Sequence, residues 1–161
     1  LATVNAIAND LVLPYTLAYG VNRHEGYNIL AGADFSLTAT STLGLGSSSV
    51  LASNQKPVYP GNGYLFFQGD LYLSYFIAKD ANFVSFTFDV NNPGSYQQRL
   101  VDMSGVVGAM NPDIEAFRSR GGKLIVMHGL ADQVISPNPA IAYYNAQVTK
   151  IGQAAVDSFW R

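Results

Sequence analysis

From Tyr64 onward, the order of apolar and polar residues predicts a run of short elements. In Asp70–Lys79, Leu71, Tyr72, Tyr75 and Phe76 fall at i, i+1, i+4 and i+5, the spacing of one helix face. Asp70 in a first turn and Lys79 in a last turn would both suit the helix dipole. Val84, Phe86, Phe88 and Val90 then alternate with polar residues, and this period of two predicts a half-buried strand. Asn91-Asn92-Pro93-Gly94 predicts a turn, and Tyr96–Met103 a helix. Asp113–Arg120 suits a short helix capped by Asn111 or Asp113, with Gly121-Gly122 permitting the positive φ of a C-cap. Leu124-Ile125-Val126-Met127 is a continuous apolar run of strand length, which predicts a strand buried on both faces. Asn138 can cap a further helix with Pro139 at its first position, running to about Lys150 and ended by Gly152. Val156–Arg161 reads as the beginning of another strand.

Upstream, the pattern is weaker. Leu1–Asn9 suits a helix end, and Leu11–Tyr19 is apolar and aromatic but interrupted by Pro14. Gly20–Tyr27 is a polar loop with His24 beside Glu25. Leu30–Phe35 is small and contains glycine, and Ser36–Ser53, rich in Ser, Thr, Gly and Leu, reads as irregular. Lys56–Gly63 is dense in turn formers. No internal repeat is visible.

Composition narrows the class. A chain of 161 residues that is 48% hydrophobic and 12% charged can bury a core, which argues against disorder. A net charge of −2 without any Lys/Arg run argues against binding nucleic acid through its phosphates. No apolar run reaches the length of a transmembrane helix, and Leu1-Ala2-Thr3-Val4-Asn5 lacks a basic leader and a Met. The chain reads as a piece of something longer, with the remainder of the same polypeptide as its expected partner, although a processed mature protein would begin in the same way. With no cysteine, it has no disulfide and no thiolate zinc site.

In open α/β sheets, ligands bind beyond the carboxyl ends of the strands, and here that position is held by a polar loop with a carboxylate, Asp132. On local pattern alone, Asp132 is either the acid of a reactive site or a surface Asx-turn. The surrounding residues carry a resemblance. Pro112-Asp113, Ala116-Phe117, Arg120-Gly121-Gly122-Lys123-Leu124-Ile125, His128-Gly129, Ala131-Asp132, Ile135-Ser136-Pro137 and Tyr143-Tyr144 resemble the C-terminal catalytic segment of the tannase/feruloyl esterase family of α/β-hydrolases. The likeness extends more loosely through Gly63-Tyr64, Gly69, Tyr75-Phe76, Phe88-Asp89 and Leu100.

The resemblance implies an α/β chain: the C-terminal part of an α/β-hydrolase fold, residues 56–161, preceded by the end of an inserted lid domain, residues 1–55. It implies that Asp132 is the acid of a Ser–His–Asp triad in a serine carboxylesterase. The implied substrates are small esters of aromatic acids, of the gallate or hydroxycinnamate class. Location would be secreted or periplasmic. No cofactor is expected in the chain itself, and a structural calcium would belong to lid residues ahead of Leu1. The triad serine is expected before Leu1 and the triad histidine after Arg161. No G-x-S-x-G elbow occurs, and Gly46-Ser47-Ser48-Ser49 reads as a flexible loop. The fragment alone is then expected to be inactive.

Other polar residues are expected to be structural. His128 should hydrogen-bond near its loop, His24 and Glu25 should lie in a solvated loop, and Ser136 should stabilise the turn before Pro137. Tyr143-Tyr144 should split between core and solvent. Asp102 and Asp113 should be ordinary helix-end carboxylates. A reading from a different class is a non-catalytic α/β binding module, which fits a chain without a nucleophile or base.

Overall fold

A computed structural model describes residues 13–17, 19–27, 55–58, 62, 64–130, 132 and 135–161. The readings of Leu1–Asn9, Leu30–Phe35 and Ser36–Ser53 lie outside these residues, as does the Gly46–Ser49 run. The described residues form two compact units. One holds the described part of 16–23 and of 34–108; the other holds 13–15, 24–27 and the described part of 109–161. The units interleave along the chain.

In the first unit, helix α1 spans Tyr64–Leu71 and continues directly into a π-helical segment, Tyr72–Ala78. The segment ends at Lys79, whose φ of 57° is left-handed. A helix over Asp70–Lys79 was predicted, but it starts at Tyr64, so Asp70 lies near the end of α1 and not in a first turn. Asp70 is instead a buried node. Its carboxylate pairs with Lys56 Nζ at 2.8 Å and accepts the Ser85 hydroxyl at 2.6 Å. Lys56 Nζ also donates to Ser74 Oγ at 2.7 Å and to the Phe83 carbonyl at 2.6 Å. Burial works to raise the Asp70 pKa, but the hydrogen bonds from Lys56 and Ser85 and the Lys56 charge hold it below the usual carboxylate range.

The predicted strand over Val84–Val90 does not form. Ser85–Thr87 is a 3-10 turn, and Phe86 and Val90 are exposed while Phe88 packs inward. Among the described residues this segment has no strand to pair with. Its aromatic residues pack by edge contacts instead: Phe83 lies 6.0 Å from Phe88 and 5.6 Å from Tyr96, ring centre to centre. A 3-10 turn, Gly94–Tyr96, leads into helix α2, Gln97–Val107, close to the predicted helix. Ile77, Leu100 and Met103 are the buried core of this unit, with Tyr72, Leu73, Phe88 and Tyr96 packed against them. Asp102 is exposed on α2 and accepts the Gln98 amide at 2.9 Å.

In the second unit, helix α3 is one turn, Glu115–Arg118. Asp113 Oδ1 accepts the Glu115 N–H at 3.3 Å and its carboxylate lies 3.4 Å from Lys150. These contacts lower the Asp113 pKa, the backbone hydrogen bond contributing most. Gly121 closes α3 with φ +77°, as its sequence position requires. Gly122 admits the Phe117 ring, since a Cβ there would stand 2.6 Å from it. Helix α4 spans Asn138–Ile151 and ends at Gly152, where φ is +85°, and α5 spans Gln153–Asp157. Asn138 is the first residue of α4 and makes no side-chain cap; its amide is used elsewhere.

The α/β expectation survives here only in reduced form. No strand is present among the described residues; Leu124 forms an isolated parallel bridge to Trp160. The backbone bonds nonetheless step as a parallel ladder does: Leu124 N–H to Phe159 O at 2.8 Å, Arg161 N–H to Leu124 O at 2.9 Å, and Val126 N–H to Arg161 O at 2.8 Å. The run Leu124–Met127 is not buried on both faces. Leu124 packs with the core of Val156, Phe159 and Trp160, while Ile125 and Met127 are 82% and 95% exposed. Side chains alternate along an extended chain, and among the described residues only one face is covered.

Tyr143 and Tyr144 do not divide between core and solvent. Both rings are half-buried against Trp160, at 5.8 and 5.5 Å. Their hydroxyls bond the Asn111 carbonyl at 2.8 Å and the Gln153 amide at 2.7 Å. Among the described residues, no helix is long and apolar enough to cross a membrane.

Candidate active site

The site residues stand where the chain leaves the Leu124–Trp160 bridge. Beyond Met127 come His128, Gly129 and Leu130, then Asp132, whose N–H turns back to Gly129 O at 3.2 Å. Asp132 Oδ1 accepts the Ile135 N–H at 2.9 Å. His128 Nε2 lies 2.9 Å from the Ile135 carbonyl and 3.8 Å from Asp132 Oδ2. A carbonyl can only accept, so the His128 proton resides on Nε2 and is directed to Ile135. Both peptide groups of Ile135 are therefore engaged by the loop, one by the acid and one by the imidazole. His128 thus hydrogen-bonds within its loop.

The next residues fasten this loop to a distant segment. Ser136 is buried, and its hydroxyl donates to the Gly26 carbonyl and accepts the Asn138 N–H at 3.2 Å. The second contact is the turn-stabilising role read from sequence; the first, across 110 residues, was not legible there. Asn138 Nδ2 donates to Gly26 O at 3.0 Å and to Glu25 O at 3.2 Å.

His24 is not in a solvated loop. Its backbone pairs with Tyr15 in an antiparallel bridge, both bonds 2.9 Å. Its ring stacks on Tyr15 at 5.0 Å and lies 5.3 Å from the Tyr27 ring. Nδ1 accepts the Gly26 N–H at 3.0 Å, a bond that requires an unprotonated Nδ1. Burial lowers the His24 pKa, against the opposing charge of Glu25. Tyr27 has its pKa raised, chiefly by burial and then by the charges of Tyr15 and Asp132. Sequence reasoning missed Tyr15, Gly26 and Tyr27; the Gly after Glu25, bounded by aromatics, is the only local signal of a tight docked turn.

His128 also borders an apolar cavity of about 290 Å³, with Val126, Leu130, Ile141, Tyr144 and Trp160 among its walls. Its volume is near the lower end for small-molecule pockets. Among the described residues, no cluster of three His, Asp or Glu fits a metal ion.

In open α/β sheets ligands gather beyond the strand ends, and here the loop that follows the Leu124–Trp160 bridge offers a carboxylate with one oxygen held by a backbone N–H. The chain belongs to the tannase and feruloyl esterase family, whose model matches residues 1–161. That membership implies an α/β-hydrolase. An uncharacterized esterase of Agrobacterium fabrum is 32% identical over 149 residues, covering 92% of this chain and 25% of the relative. A probable feruloyl esterase of Arthroderma benhamiae is 34% identical over 95 residues, 58% of this chain and 18% of the relative. A mono(2-hydroxyethyl) terephthalate hydrolase of Piscinibacter sakaiensis is 34% identical over 70 residues, 40% of this chain and 11% of the relative. The chain thus spans a quarter or less of the length of these relatives. No solved structure matches it.

Proposed function

We propose that the polypeptide carrying this chain is a serine carboxylic ester hydrolase acting on esters of aromatic acids, of the gallate or hydroxycinnamate class. Asp132 is the acid of its Ser–His–Asp triad. Residues 1–55 are the end of an inserted lid, and 56–161 belong to the returning hydrolase core. The serine and histidine come from parts of the polypeptide outside these 161 residues. The observation that carries the reading is Asp132 in the loop that follows the Leu124–Trp160 bridge, with Oδ1 fixed by the Ile135 N–H, in a chain of this family. The relatives named feruloyl esterase and mono(2-hydroxyethyl) terephthalate hydrolase support the aromatic-ester class.

The chemistry assigns Asp132 an orienting role. Its carboxylate accepts the Nδ1–H of the triad histidine, which leaves Nε2 unprotonated to take the serine proton. As the serine oxygen attacks the ester carbonyl, the carboxylate stabilises the forming imidazolium. That proton then passes to the leaving alcohol, and water repeats the sequence on the acyl-enzyme. Fixing one carboxylate oxygen limits rotation of the side chain, so the other keeps its direction while charge develops. The polypeptide is secreted or periplasmic in this reading, which cell fractionation tests.

An Asx-turn would use the same Asp132–Ile135 bond without catalysis. Hydrolysis of methyl gallate and methyl ferulate by the whole polypeptide, against its Asp132→Asn variant, separates the two. Loss of activity with retained fold supports the triad role, and retention of more than a tenth of the activity removes it.

A further inference from the structure

We propose that residues 24–27 are a pH-sensitive latch on the loop that carries Asp132: neutral His24 holds the Gly26 turn that Ser136 and Asn138 grip, and protonated His24 releases it. The inference concerns the mobility of that loop and stands whether or not Asp132 acts as a triad acid.

The clamp is built on one glycine. Gly26 is buried with φ +76°, a conformation that side chains other than glycine resist. Its carbonyl accepts from Ser136 Oγ and from Asn138 Nδ2 at 3.0 Å, and Asn138 Nδ2 also reaches the Glu25 carbonyl at 3.2 Å. Ser136 and Asn138 follow closely on Ile135, whose N–H holds Asp132 Oδ1. The turn is therefore tied to the same short loop that fixes the carboxylate. On its other side, the antiparallel bridge to Tyr15 fixes the His24 backbone. The bond from the Gly26 N–H to His24 Nδ1, at 3.0 Å, then sets where the gripped peptide lies.

That bond exists only with a bare Nδ1. A proton there would set one N–H against another at hydrogen-bond distance. The ring stacks on Tyr15 at 5.0 Å and lies 5.3 Å from Tyr27. Turning it over within this stack would place a carbon where Nδ1 stood, so either response loses the bond. The titratable groups facing the imidazole are Tyr15 on segment 13–15 and Glu25 and Tyr27 on its own segment. The gripping side chains, Ser136 and Asn138, do not titrate, and the loop's own ionisable groups, His128 and Asp132, bond Ile135. Burial outweighs the Glu25 charge, so His24 ionises below its ordinary 6.5. The latch is closed above that pH and opens as pH falls through the folded-state value.

The test uses the whole polypeptide and hydrogen–deuterium exchange read by mass spectrometry, on peptides covering 24–27 and 132–138. Rates at about pH 7.5 and about pH 5, either side of the histidine range, are corrected for the intrinsic pH dependence of exchange. At the higher pH, both peptides should exchange roughly threefold to tenfold faster in His24→Phe than in wild type, the scale of one lost hydrogen bond. At the lower pH the wild type should converge on His24→Phe. His24→Asn, whose carbonyl can accept the N–H two residues on at any pH, should stay protected at both. A wild type that keeps its lead over His24→Phe at the lower pH, or never has one, overturns the inference. So does acceleration of 24–27 without 132–138, or a His24→Asn protein that loses protection in acid as the wild type does. Because no arm reads turnover, these outcomes are independent of the effect of Asp132→Asn on ester hydrolysis.

Discussion

His128 and Asp132 are four residues apart and approach to 3.8 Å, and both hydrogen-bond the same residue, Ile135. The imidazole holds the Ile135 carbonyl and the carboxylate holds its N–H. His128→Ala should therefore loosen the loop by roughly 0.5–1.5 kcal/mol, the net worth of one hydrogen bond. Ester hydrolysis should fall by less than about tenfold, mostly through lower stability. Urea unfolding and kcat measured together check this; a loss as large as that of Asp132→Asn would make His128 part of the chemistry.

The Lys56–Asp70 pair should matter to folding and not to turnover. Asp70 is only 2% exposed, so Lys56→Met leaves a buried carboxylate without its cation. That change should cost about 3–5 kcal/mol, and Lys56→Met with Asp70→Leu should cost less than Lys56→Met alone. Denaturant unfolding of the three proteins tests the order. The sign of the pH dependence follows from the lowered Asp70 pKa. The pair's contribution is present above the ordinary carboxylate value of 3.8 and is lost as pH falls through the folded-state value.

His24 should make the docked segment acid-sensitive at a higher pH. Its pKa lies below 6.5 in the folded chain, because burial disfavours the imidazolium. As pH falls below 6.5 the unfolded chain takes up the proton first, and stability present above that pH is progressively lost. Protonation at Nδ1 would also break the bond from the Gly26 N–H. Melting temperature should drop less between pH 7.5 and pH 5, both chosen as roughly one unit or more either side of 6.5, in His24→Phe than in wild type. Equal drops would show that His24 is not the titrating group.

Gly122→Ala should destabilise the approach to the acid loop. A Cβ at Gly122 would stand 2.6 Å from the Phe117 ring, which must then move off the turn. A cost of about 1–3 kcal/mol is expected, relieved in part by Phe117→Leu. An unaltered unfolding midpoint for Gly122→Ala would contradict this packing.

Local chemistry made much of the second unit legible. Pro139, Gly121 and Gly152 marked helix limits through backbone geometry that any tertiary context must respect. The alternation over Val84–Val90 misled because period two describes a strand only where a partner strand exists; here Phe88 turns into an aromatic cluster while Phe86 stays exposed. The run Leu124–Met127 overstated burial because hydrophobicity records what a face can do, not what covers it. In the candidate site, Asp132 and His128 were readable from their place after that run. The Gly26 clamp was not, because its bonds join residues 110 apart and no local pattern encodes such a contact.

The most direct measurement is kcat for ester hydrolysis by the whole polypeptide and by its Asp132→Asn variant, with folding checked by circular dichroism. With Asp132 as the triad acid, kcat falls by on the order of 10³–10⁴ while the fold is retained. A folded Asp132→Asn enzyme keeping more than roughly a tenth of wild-type kcat would contradict that role, since a lost triad acid costs far more. The Asp132–Ile135 bond would then be no more than a turn.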